Sequence, residues 1–254
     1  MSSIYWRKFG IELEFSSEFN DVKKIVYPII KKKYGNKRLY CRNKVFRSHD
    51  KRQWHLKNDH STQAELVTPI SSYADLSYIK RVIEEIERSH LEITKRDGTH
   101  FTLQAHENKE DNIILSWLQI EDIILKCFPK YRRDNYFCKK INRNNKECLL
   151  ESIFEKSKKL SKSHNSDISL ENYNYRKTIE FRLSEGTKNP DVVENWLKFY
   201  MLFLNYAENI NFNKVLENGS TKDIKNIQDV ISLLNIKSEK ICNFLKKRFL
   251  GDYE

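Results

Sequence analysis

"FGIELEF", Phe9–Phe15, sets two glutamates one residue apart in an apolar frame. Strand side chains alternate between faces, so Ile11, Leu13 and Phe15 share one side and Glu12 and Glu14 the other. Two readings are open. In one, the stretch is a half-buried strand whose polar face meets water. In the other, the two carboxylates share a divalent cation that relieves their mutual repulsion.

Three further segments repeat the pattern. In "QAELVTPI" (63–70), Glu65 lies opposite Ala64 and Leu66. In "GTHFTLQA" (98–105), His100, Thr102 and Gln104 share a face. In "KTIEFRLSEGT" (177–187), Thr178, Glu180 and Arg182 oppose Ile179, Phe181 and Leu183. A merely solvated face would be rich in Lys, Thr and Ser; these hold Glu, His and Arg. The fold class that accommodates them is α+β, an antiparallel sheet with helices packed on one face and the other left open. If the strands are neighbours, that open face gathers Glu12, Glu14, Glu65 and Glu180 with His100 and Arg182. Such a cluster needs cations, and hard oxygen donors suit Mg²⁺ or Mn²⁺ better than zinc. Arg182 presents a fork of donors that matches phosphate oxygens.

Composition narrows the setting. A chain of 254 residues with 14 Phe and 13 Tyr can bury a large core, which excludes a disordered protein. No apolar run reaches membrane-spanning length and "MSSIYWRKFG" lacks a secretory apolar region, so a cytoplasmic protein is expected. The five cysteines form no CxxC pair, which suits reduced thiols. Cys41 with His49, His55 and His60 fits no zinc spacing. The formal net charge of +11 suits an anionic partner, but it also follows from a composition rich in Lys, Asn and Ile throughout. There is no GxxxxGK[ST] or GxGxxG loop, so a nucleotide would be held through metals and arginines. No GxSxG elbow points to covalent catalysis.

Between the strands the periodicity is helical. "DVKKIVYPIIKKKYG" (21–35) reads as a helix disturbed at Pro28 and ended by Gly35. "ADLSYIKRVIEEIERSH" (74–90) carries an apolar stripe through Leu76, Ile79, Val82, Ile83 and Ile86. "IILSWLQIEDIILKCF" (113–128) is apolar enough to be central. Asn189 and Pro190 open another helix as N-cap and first residue, and Ile227 to Leu250 reads as one or two amphipathic helices. "WHLKNDHST" (54–62) places Asp59 and Ser61 in a turn before the Glu65 strand, either a plain Asx turn or a reach toward the site. "FPKYRRDNYFC" (128–138), with Arg132, is a solvated connection or an anion-binding loop. The segment 156–167, "KSKKLSKSHNSD", reads as a mobile basic loop, a candidate lid or substrate contact.

In order along the chain, these segments resemble the amidoligase family, relatives of glutamate–cysteine ligase and glutamine synthetase among the carboxylate–amine ligases. The matches are "GIELEF", "WHLKNDHST", "ELVTPI", "GTHFTLQA", "YRRDNYFC" and "TIEFRLSEGTKNPDVVENWLKFY", spanning roughly Phe9 to Tyr206. The resemblance implies a glutamine synthetase/guanido kinase-like funnel, a curved antiparallel sheet with helices outside. It implies a catalytic domain over 1–210 and leaves 211–254 as a C-terminal helical extension packed on it. The implied chemistry is ADP-forming amide-bond synthesis, in which the ATP γ-phosphoryl passes to a carboxylate and an amine attacks the acyl phosphate. Glu12, Glu14, Glu65, Glu180 and His100 would hold two or three Mg²⁺ (or Mn²⁺). Arg182 would stabilise the transferring group, Arg132 would clamp phosphate or a substrate carboxylate, and His100 would also contact the nucleotide. Where family members often carry a second histidine in GxHxH, this chain has Thr102.

Two rivals stay open: a basic nucleic-acid-binding protein without catalysis, and a metal-dependent nuclease using the same carboxylates. The acceptor or donor can belong to an amino acid, a peptide or a modified anionic polymer, nucleic acid included.

Overall fold

The alternation in Phe9–Phe15 becomes strand β1, the middle strand of a seven-stranded sheet. The computed structural model describes residues 6–34, 39–42, 52–58, 62–140, 166–211 and 224–253. Within them the sheet also contains β2 (Leu39–Arg42), β3 (Trp54–Lys57), β4 (Ala64–Val67), β5 (Thr99–Gln104), β6 (Ile168–Ser169) and β7 (Thr178–Phe181). Their order is β2-β3-β4-β1-β5-β7-β6. Every neighbouring pair is antiparallel except β2 and β3, which run parallel. The antiparallel α+β expectation therefore holds for six strands. It is corrected at the β2 edge, which no alternation announced, and Trp54–Lys57, just ahead of the turn expected at Asp59 and Ser61, adds a strand that the sequence reading did not assign.

One face of the sheet is the core. Ile11 pairs with Phe101, Leu13 with Leu66, Phe101 with Phe181 and Leu103 with Ile179, all essentially inaccessible to water. The helices are α1 (Phe19–Tyr34), α2 (Leu76–Glu87), α3 (Glu110–Leu125), the single turns α4 (Lys130–Arg133) and α5 (Tyr173–Arg176), α6 (Pro190–Asn209), α7 (Ile227–Leu233) and α8 (Glu239–Phe249). Helix α1 runs through Pro28 and buries Val22, Val26 and Ile30, one residue per turn. Helix α2 buries the expected stripe of Leu76, Ile79, Val82, Ile83 and Ile86.

Asn189 caps α6: its side-chain oxygen accepts from the amides of Asp191 at 2.9 Å and Val192 at 3.3 Å, with Pro190 as first residue. Such a cap contributes about 1 kcal/mol. Aromatic rings then bind α6 to the sheet. Tyr200 stacks on Phe181 with centroids 4.2 Å apart, and Trp196 stacks on Phe128 at 4.3 Å. The C-terminal stretch forms two helices; Ile231 of α7 and Ile241 and Leu245 of α8 are buried in the same hydrophobic cluster. Cys127, Cys138 and Cys242 are free thiols. Among the described residues no helix is long and apolar enough to cross a membrane.

Candidate active site

Strand register decides which polar side chains meet. β1 pairs with β4 through Glu14 and Glu65, and with β5 through Glu12 and His100. β5 pairs with β7 through Thr102 and Glu180. Directly opposed residues of an antiparallel pair point to the same side, so all five site residues on these strands share the face opposite the core. That face is not simply solvated: Glu14, Glu65 and His100 are only 7%, 7% and 5% exposed.

His100 stands at the centre. Its Nδ1 lies 3.4 Å from Glu180 Oε1 and 3.9 Å from Glu12 Oε2, and its Nε2 lies 3.6 Å from Glu14 Oε1. Glu12, His100 and Glu180 each offer one ligand atom, and these atoms lie within 4.8 Å of one another. Two cations border the group. Arg182 Nη1 donates to Glu180 Oε1, and Lys57 Nζ donates to Glu65 Oε1 at 2.7 Å. Sequence reasoning misses Lys57, since it assigns no strand to Trp54–Lys57; as part of β3 it lies directly opposite Glu65.

The electrostatics follow from crowding. Burial alone would raise the Glu12 carboxyl, but its hydrogen bond with His100 and the Lys57 charge outweigh that and bring it down to about 2. Glu65 goes the other way: burial and the neighbouring Glu12 charge raise it well above the usual carboxylate range, against the pull of Lys57. Burial and the Arg182 charge push His100 down to about 4, against the pull of Glu12. At neutral pH the imidazole is therefore uncharged, with a lone pair to donate.

Behind this group lies Gly98. Its amide donates to Glu14 Oε2 at 2.5 Å, and its carbonyl accepts the Glu14 amide at 3.2 Å. A Cβ at this position would stand 2.8 Å from His100 Nε2, 2.9 Å from Arg132 Nη2 and 3.2 Å from Glu14 Oε2. Arg132 reaches the site from behind, with 2% exposure. Its guanidinium donates to the carbonyls of Arg182 at 2.6 Å, Leu183 at 3.3 Å and Asp97 at 3.4 Å. It thereby ties the segment after β7 to the segment before β5.

Several sequence-read positions fall elsewhere. Asp59, Ser61, His49 and His60 lie outside the described residues, as do positions 156–165 of the basic loop and the Cys41 side chain. Of that segment only Ser166 and Asp167 are among the described residues, and both are buried. Asp167 accepts from Trp117 Nε1 at 3.0 Å and from the Ile168 amide at 2.8 Å, and it hydrogen-bonds Glu121 of α3. Burial pushes the Asp167 carboxyl up to about 6. His55 shares the site face, opposite Val67.

No curated protein matches the chain. A family model described as "Putative amidoligase enzyme" matches residues 6–204, a span that holds β1, β3, β4, β5, β7 and every residue of the cluster. The chain belongs to this amidoligase family.

Proposed function

We propose that the protein is an ATP-dependent carboxylate–amine ligase. The observation that carries this reading is the convergence of Glu12, His100 and Glu180 within 4.8 Å, with Arg182 on Glu180. The donor set fits a divalent cation: two carboxylates and a neutral imidazole, with Glu14 and Glu65 alongside, a grouping whose charge calls for a counterion. Glu12, Glu180 and His100 would hold Mg²⁺ or Mn²⁺, with Glu14 and Glu65 as further ligands. When bound, such ions neutralise phosphate charge and orient the phosphates for in-line transfer.

The reaction then runs in two displacements. A substrate carboxylate oxygen attacks the γ-phosphorus and ADP leaves; the amine nitrogen attacks the acyl carbon, phosphate leaves and the amine proton is lost. Arg182 contributes by offering planar donors to the transferring group, which carries its charge on equatorial oxygens. His100 is positioned to contact the nucleotide beside the ions. Arg132 is given a positioning role in place of the expected clamp, since its donors already serve three carbonyls. The same reading takes the sheet as a glutamine synthetase-like funnel, residues 1–210 as the catalytic domain, 211–254 as its extension, and the cytoplasm as its setting. The donor and acceptor can be amino acids, peptides or an anionic polymer, which the net charge of +11 would favour.

The test follows products. ATP and Mg²⁺ incubated with pools of carboxylates and amines should give ADP, phosphate and an amide, with no turnover lacking metal or carboxylate. Arg182→Lys should lower kcat about 100-fold while leaving nucleotide affinity within a few-fold. Release of AMP and pyrophosphate would exclude this mechanism, and metal-dependent cleavage of DNA or RNA without ATP would favour a nuclease.

A further inference from the structure

The C-terminal helix α8 lies beyond the family match, yet one of its side chains reaches toward the site. Arg248 is 2% exposed, and its guanidinium sits among the rings of Phe244, Tyr253 and Trp196, with centroids 5.2, 5.7 and 5.9 Å from Cζ. Nη2 donates to the Tyr253 carbonyl at 3.2 Å, and Nη1 forms an ion pair with Glu185 Oε1. Glu185 is itself buried, and among the described residues Arg248 is its ion-pair partner.

Glu185 belongs to the segment that fixes Gly98. The two form an antiparallel bridge, flanked by Thr99 N to Ser184 O at 3.2 Å and Gly186 N to Asp97 O at 3.0 Å. Gly98 in turn donates to Glu14 Oε2. A buried charge left unpaired must move or take up a proton, so the Glu185 backbone is held where Arg248 can reach it. We infer that Arg248 is a positioning residue for the site: through Glu185 and the Gly98 bridge it sets where the Glu14 carboxylate stands. The proposal rests on the metal reading of the site, and it gives the C-terminal extension a part in the chemistry. Residues that orient ligands from outside the coordination sphere commonly tune metal affinity by 10–100-fold.

The informative variant removes both charges, because Arg248→Met alone strands the Glu185 carboxylate and is expected to unfold more readily. Arg248→Met/Glu185→Leu replaces the pair by apolar groups, an exchange buried ion pairs often tolerate without loss of stability. With full-length protein, its Tm should stay within a few degrees of wild type while Mn²⁺ affinity falls about tenfold. Hydrogen exchange of the Gly98 amide, measured without metal, should quicken by a similar factor, with the Phe101 amide unchanged. Arg248→Lys, which keeps the charge, should recover part of both losses. A folded double variant with wild-type Mn²⁺ affinity and wild-type Gly98 exchange overturns the inference. If the wild type itself binds no Mn²⁺, the metal reading fails, and exchange at Gly98 still decides the role of Arg248.

Discussion

At Gly98 a single methyl group would meet His100, Arg132 and Glu14 at once, which shows how closely the site is built against its backbone. His100 is the residue whose chemistry is most sharply set by that enclosure. Its folded-state pKa of about 4 lies below the ordinary 6.5, so the folded protein favours the neutral ring. The stability this contributes is fully present above pH 6.5 and is lost as pH falls toward 4, an effect of about 3 kcal/mol. Measured without metal, the stability advantage of wild type over His100→Gln should therefore shrink by about that amount between pH 7 and pH 4. An advantage that stays constant across this range would show that the ring is not held neutral. The carboxylates and His100 were legible in the sequence because alternation in a strand states which side chains share a face. The commitment of Arg132 to carbonyls was not, since its partners lie in two segments far from it along the chain.

Elements differ in how openly they announce themselves. Helices α2 and α6 could be drawn from their apolar stripes and from the Asn189–Pro190 start, both local signals. Strands β2 and β6 could not: "LYCR" has no apolar–polar alternation, two residues are too short for a period, and the pairing of both is decided by distant neighbours. The two-residue edge strand β6 is preceded by Asp167, which is locked under the sheet by Trp117 and Glu121 of α3. A hydrogen bond between two carboxyl groups requires a proton between them. Burial raises the Asp167 pKa to about 6, so the stability that its protonation contributes is present at low pH and lost as pH rises through that value. The hydrogen bond with Glu121 pulls the other way and favours the ionised Asp167 carboxylate, with Glu121 as the donor. Glu121→Gln keeps a donor toward Asp167 and should fall within about 0.5 kcal/mol of wild type at pH 7, whereas Glu121→Ala should lose about 2 kcal/mol. Equal losses in the two variants, read from urea unfolding, would show that the donated hydrogen bond is not what matters there.

On the scale of the whole molecule, six antiparallel strands bring residues from Glu12 to Arg182 onto one recessed face, and helices close the other. The sequence could state the two faces of each strand, but not that β1 would stand between β4 and β5, and adjacency is what turns four scattered glutamates into a site. Nor could it show that α8 would return Arg248 to Glu185, because a helical period says which face is buried and not against what. The central claim is that Glu12, His100 and Glu180 together hold a divalent cation for phosphoryl transfer. The direct measurement is titration with Mn²⁺ followed by electron paramagnetic resonance, which reports free ion, on wild type, Glu12→Gln and Glu180→Gln in the presence of ATP. The wild type should bind Mn²⁺, and each variant should bind at least tenfold more weakly with its fold intact. Equal Mn²⁺ affinity in all three proteins would contradict the assignment.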